Sequence, residues 1–277
     1  MPTNHREYHR QADAGPWSRN RLLVMLSGIT VTLGLLIAGL GMAVWSAITT
    51  PDAAANPAPA ATGEVVVVSV RDRIAAAPMA SVDENAAFTP DPATTKAPQI
   101  VVPVATVEEG PAGVPSGFPR TPEGAVGQLA AIEKTVLESM SLPVARDVHR
   151  VWVAPGGPAV EEWELTSNVV SFLAAGRQGG QQKDLTTLVT LTPAAGLVKG
   201  SDGPGWTVVC VLMDVQVAIR TEARMGYGFC SRMQWNPVEQ RWLIAAGTPP
   251  APAPSAWPGS VAAVEAGWLA WTEGVEE

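Results

Sequence analysis

Few residues in this chain combine types and spacing that chemistry can use. Only two cysteines occur, Cys210 and Cys230, and no CxxC spacing is present. That argues against a catalytic dithiol, because such dithiols depend on a close pair that lowers one thiol's pKa. The histidines are His5, His9 and His149. His5 and His9 stand in HREYH, which is not HExxH, and His149 has no second histidine near it for a zinc set. A Ser-His-Asp triad would have to use His149, and no GxSxG elbow is present. The stretch GLVKGSDGPGW (196–206), with Lys199, does not fit GxxxxGK[ST] and reads as a hairpin loop. No catalytic residue, cofactor site or metal site is therefore expected.

Asp214 is the acid that stands out, because it interrupts a strongly apolar segment. It has two readings: a solvated position on the outer face of a strand, or a pocket carboxylate serving as a general base. Tyr227 is the other polar candidate, and it falls on the opposite strand face from Asp214. Trp257, Trp268 and Trp271 crowd the last segment. They form either a short helix docked on the domain or a partner-binding patch, since tryptophan is enriched at binding hot spots.

The elements that must position these residues follow from periodicity. Residues 22–48 run 27 positions without a charge. About 20 apolar residues cross a bilayer core, so this reads as a transmembrane helix, with a buried core helix or a cleaved leader as alternatives. Arg19 and Arg21 precede it, and no Lys or Arg follows until Arg71. The positive-inside rule then keeps the tail, residues 1–21, in the cytoplasm and places the rest of a single-pass cell-membrane protein outside. Arg6, Arg10, Arg19 and Arg21 against Glu7 and Asp13 make the tail +2. The remainder thus carries −10 of the net −8. An acidic outer domain is a poor partner for nucleic acid, which needs clustered Lys and Arg.

Residues 49–120 are rich in Pro and Ala and read as an extracytoplasmic linker. Two apolar runs interrupt it, Val65–Val70 and Ile100–Val107. Either could be an edge strand, and Pro103 keeps the second off a central position. The domain itself spans 121–247. Thr121 and Pro122 start a helix whose apolar stripe is Val126, Leu129, Ile132, Val136 and Met140. Pro143 opens a second helix, and a third covers 160–176 with Glu161, Glu162 and Glu164 in its first turn.

The period then shortens to two. Strands are expected at 184–192, 206–219, 224–235 and 241–246. The segment 248–277 follows, Pro-rich and then helical. The fold class is α+β, three helices on one side of a curved antiparallel sheet of about four strands.

The cysteines fix a register. A hairpin centred at residue 220 pairs residues whose numbers sum to 440, so both apolar faces coincide and Cys210 stands opposite Cys230. In a non-hydrogen-bonded pair the Cα atoms approach to about 4.5 Å, within disulfide range. A cross-strand disulfide is expected, with two facing buried thiols as the alternative.

The layout of basic tail, span, Pro-rich linker, three helices and sheet resembles the bitopic membrane subunits of type IV secretion and conjugation machines. The stretch from TPEGAVGQLAAIEKTV (121–136) through TPAAGLVKGSDGPGW (192–206) and MGYGFCSRMQW (225–235) to APSAWPGS (253–260) is similar to membrane proteins of Gram-positive conjugative elements. That resemblance implies a nuclear-transport-factor-2-like outer domain, a non-catalytic scaffold role, self-association and contact with other channel proteins. The same fold also hosts isomerases and dehydratases, so an anchored ligand-binding or isomerase-like domain is the competing reading, and a sensor or regulator is a third.

Overall fold

In the computed structural model, residues 68–94, 96–219 and 221–274 are described. The tail at 1–21 and the span expected at 22–48 lie outside them. Among the described residues no helix is long and apolar enough to cross a membrane.

The described chain is α+β. Five helices, α1 (Val70–Ala76), α2 (Pro122–Ser139), α3 (Leu142–Trp152), α4 (Glu164–Ala175) and α5 (Val261–Glu265), accompany six strands. These are β1 (Gln99–Pro103), β2 (Leu188–Ser201), β3 (Trp206–Ala218), β4 (Glu222–Asn236), β5 (Arg241–Ile244) and β6 (Leu269–Gly274). They form one sheet in the order β1-β6-β2-β3-β4-β5.

Local chemistry explains the long helices. Thr121 Oγ1 accepts the Gly124 N–H at 3.0 Å, and Pro122 sits where a missing N–H costs nothing. Ser141 caps α3 in the same way. The helix stripes meet the odd-numbered face of β3 and β4. Leu129, Ile132, Val136, Val209, Val211, Met213 and Met233 all bury completely there. Trp152 and Trp242 fill the same core, and their indoles donate to Pro111 O and Pro119 O, both at 2.9 Å. Those two bonds tie the chain before α2 to the core.

The β3–β4 hairpin has the register expected from the cysteines, from Trp206–Gln234 to Ala218–Glu222. The Cys210–Cys230 disulfide is formed, with Cα atoms 4.0 Å apart.

Several expectations change. The sheet has six strands and is mixed, because β1 and β6 run parallel. They join through tertiary contact, which local periodicity does not report. β1 belongs to the stretch read as linker, where it is the edge strand that the run Ile100–Val107 allowed, ending at Pro103, with Ile100 and Val102 buried against the core. Of the run Val65–Val70, Val65, Val66 and Val67 lie outside the described residues; Ser69 then caps α1 by accepting the Asp72 N–H. β2 continues through Lys199 to Ser201, so the hairpin turn is only 202–205 and Lys199 is a strand residue. Finally, the third helix starts at Glu164, leaving Glu161 and Glu162 in the turn before it. The terminal segment differs as well: its helix ends at Glu265, and Trp271 stands in strand β6.

Candidate functional site

The even-numbered face of the hairpin is covered over the half away from its turn, while Gln216, Glu222 and Arg224 near the turn stay exposed. Val208, Cys210 and Leu212 are fully buried under α1, α5 and the Pro-rich chain around Ala256. Two glycines make this possible. A Cβ at Gly226 would collide with the Ala256 carbonyl, and one at Gly228 would lie 2.6 Å from Pro254 O. The Gly-Tyr-Gly alternation thus clears the outer face while projecting Tyr227 inward. Trp268, 1% exposed, packs on this outer layer and donates to Pro254 O at 3.1 Å.

Asp214 sits at the rim of this layer. Arg224 grips it with two bonds, Nε to Oδ1 at 2.8 Å and a terminal nitrogen to Oδ2 at 2.7 Å. The same guanidinium stacks on Trp257, 4.8 Å from the ring centre. Asp214 is therefore a paired carboxylate inside an Arg–Trp clasp, not an available base. Trp271 packs against the inner core instead. The three tryptophans do not share one surface, since Trp268 joins the outer layer, Trp271 the inner core, and Trp257 lies at the rim. His149 holds the turn before α4: its Nε2 lies 2.8 Å from Pro158 O and its ring meets Trp163 edge-on at 5.5 Å.

The inner face carries a different polar group. Tyr227 donates its hydroxyl to Glu164 Oε1 at 2.9 Å and accepts from Asn168 Nδ2 at 2.7 Å. Glu164 occupies the first turn of α4, where the helix dipole favours an anion. Burial, and then the charges of Glu164 and Glu133, push the Tyr227 phenol well above its usual range, so it acts as a donor.

Glu133 is fully buried on α2, and both its carboxylate oxygens lack a partner among the described residues. Burial, and secondarily the nearby Glu164, hold its carboxyl well above the usual carboxylate range. A buried acid with a raised pKa near a phenol–carboxylate pair is the kind of set that proton transfer uses. Sequence reasoning passed over Glu133. The available signal was its place in the stripe, one residue after Ile132 and three before Val136, where an apolar side chain belongs.

Beside this cluster runs a cleft of about 370 Å³. Glu162, Trp163 and Glu164 form one wall, Pro249, Pro250 and Pro252 the other, and β4 the floor. Among the described residues, no three His, Cys, Asp or Glu side chains gather into a metal site.

Compared with known protein families, curated proteins and solved structures, the chain matches none of them.

Proposed function

We propose that the chain is a membrane-anchored scaffold subunit of a conjugative, type IV secretion-like channel, with a nuclear-transport-factor-2-like outer domain. The packing of the inner face carries this reading. A ligand-binding or catalytic version of such a fold needs a hollow with convergent polar groups. Here that space is filled by Trp152, Trp163, Trp242, Met213 and Met233. What remains for contact is the surface, including a β1 edge that exposes Val101 and the following Val104 and Val107. The element order and the charge asymmetry flanking residues 22–48 add support.

The test is a pull-down of membrane-extracted full-length protein, with partners identified by mass spectrometry. Recovery of a transfer ATPase, a channel protein or a cell-wall hydrolase is the expected result. Recovery of the protein alone, as a monomer, sinks the scaffold reading.

The sealed Glu133 beside Tyr227 and Glu164 favours a second reading, an anchored small-ligand domain. It expects at least one compound in a small-molecule thermal-shift screen to stabilise the full-length protein, and Glu133→Gln to abolish that shift. A screen without a stabilising compound rejects it.

A further inference from the structure

Strand β4 has 15 residues, but β5 pairs only with Met233 to Asn236. The remaining length has an edge of its own. The direction of its backbone groups follows from two bonds. Trp235 N–H donates to Gly205 O on the β3 side, so odd-numbered residues of β4 turn their amides toward β3. Even-numbered residues turn theirs the other way, as the bond from Ala245 N–H to Arg232 O confirms. Further along that edge, Gly228 N–H donates to Ser255 Oγ at 3.0 Å. Between these two points, Cys230 presents its N–H and C=O to the cleft. Among the described residues no strand faces it there.

An open edge of this kind is a template for another strand. The proline wall has no N–H at Pro249, Pro250 or Pro252 and cannot itself complete a ladder. Trp163, on the other wall, is buried, with an indole N–H that has no acceptor among the described residues.

The charge is one-sided. Glu162 and Glu164 line the cleft. Its one basic lining residue, Arg232, has a side chain only 6% exposed, committed to Asp72 at 2.7 Å and to Thr248 O at 2.6 Å.

We propose that this cleft is a strand-addition site for an extended segment of a partner protein carrying a lysine or arginine. The segment pairs with Cys230 and sets its cation beside Glu162 and Glu164. A second copy of this chain is a poorer occupant, because edge-to-edge pairing would bring the same carboxylates against each other. The proposal deepens the scaffold reading and rests on it by naming where a partner docks, but its test needs no other component of a transfer apparatus.

The experiment pans a random heptapeptide library, displayed on phage, against the full-length protein in detergent. Enriched peptides are then resynthesised with alternate amides N-methylated. The expected result is enrichment of β-branched sequences with Lys or Arg at one position. N-methylation on one alternation should weaken binding by about tenfold or more, because it removes ladder donors. Glu162→Lys, at an exposed position, should weaken binding by about tenfold without unfolding the protein.

No enrichment, or enriched peptides indifferent to both changes, overturns the proposal. Enrichment of sequences from this chain itself overturns the partner and makes the occupant a second copy. If channel proteins appear in the pull-down while the peptide site fails, the scaffold reading stands and only the docking site falls. A working peptide site with no channel partner removes the channel assignment and keeps the site.

Discussion

On the odd face of β3, Val209, Val211 and Met213 share a core with helices α2, α3 and α4; on its even face, Val208, Cys210 and Leu212 meet the short helices α1 and α5 and irregular chain from both ends of the domain. All six side chains are fully buried. What differs is the cover. The inner cover is built from large side chains on capped helices. The fully buried part of the outer cover is small, Ala75 on α1, Ala263 on α5, and Ala245, Ala256 and Ala266, joined by Trp268, with Ile74, Met79 and Val82 partly buried at its margin. Helices supply their own backbone hydrogen bonds, whereas the irregular part of the outer cover must borrow them. It does so through Ala251 N–H to Ala75 O, Trp268 Nε1 to Pro254 O and Arg232 Nε to Thr248 O. The inner layer should therefore govern global stability and the outer layer the attachment of the chain ends.

The largest effect that sharpens this contrast comes from Met213→Ala. It should cost about 2–5 kcal/mol of global stability, since a core methionine is replaced by a void. Denaturant unfolding measures it, and a loss below about 1 kcal/mol would mean the inner face is not the principal core.

Removing the disulfide as Cys210→Ala with Cys230→Ala should cost about 3 kcal/mol, the scale for a closed loop of this length. Reduction of the native protein should lower the melting temperature in the same direction. An unchanged melting temperature would show that the outer layer holds without the cross-link.

The inner face contains its own weak point, Glu133, and pH exposes it. Its folded-state pKa is raised, so the stability it permits is fully present below the ordinary value of 4.5 and is lost as pH rises toward the folded pKa. The slope attributable to this one group is about 1.4 kcal/mol per pH unit across that window. Glu133→Gln should flatten the profile above pH 4.5 and match the parent below it. Parallel profiles for the two proteins would falsify the assignment.

Gly226→Ala tests the outer layer from beneath. A Cβ there drives into the Ala256 carbonyl, and the expected cost is about 1–3 kcal/mol. Limited proteolysis should cut the chain near 249–257 sooner in this variant, while β4 amides stay protected. Unaltered cleavage would contradict the close approach.

The smallest effect belongs to Arg224→Lys. It gives up the two-pronged grip on Asp214 and the stacking on Trp257. An ion pair whose arginine is nearly half exposed contributes well under about 1 kcal/mol. The tryptophan fluorescence maximum should shift while the melting temperature barely moves. A drop of many degrees would place the clasp in the core.

The hairpin was legible because a period of two and the spacing of Cys210 and Cys230 admit one register that aligns both apolar faces. The helices were legible because Thr121, Pro122 and Pro143 mark starts that hold locally. The site was less so. Asp214 drew attention as a polar break in an apolar strand, yet its partner Arg224 and its cover Trp257 come from other segments. Glu133 escaped notice because charge ordinarily signals an exposed position. Only the packing of α2 against α4 and β4 turns it inward.

Composition and periodicity by themselves determined the capped helices, the β3–β4 register, the disulfide and the α+β class, because each depends on residues close in sequence or on a spacing that repeats. Tertiary structure alone decided that β1 and β6 run parallel, that two glycines let Pro-rich chain cover the outer face, and that Glu133, Glu164, Asn168 and Tyr227 converge. The physical reason is that periodicity reports which face of an element is buried but not which distant segment buries it.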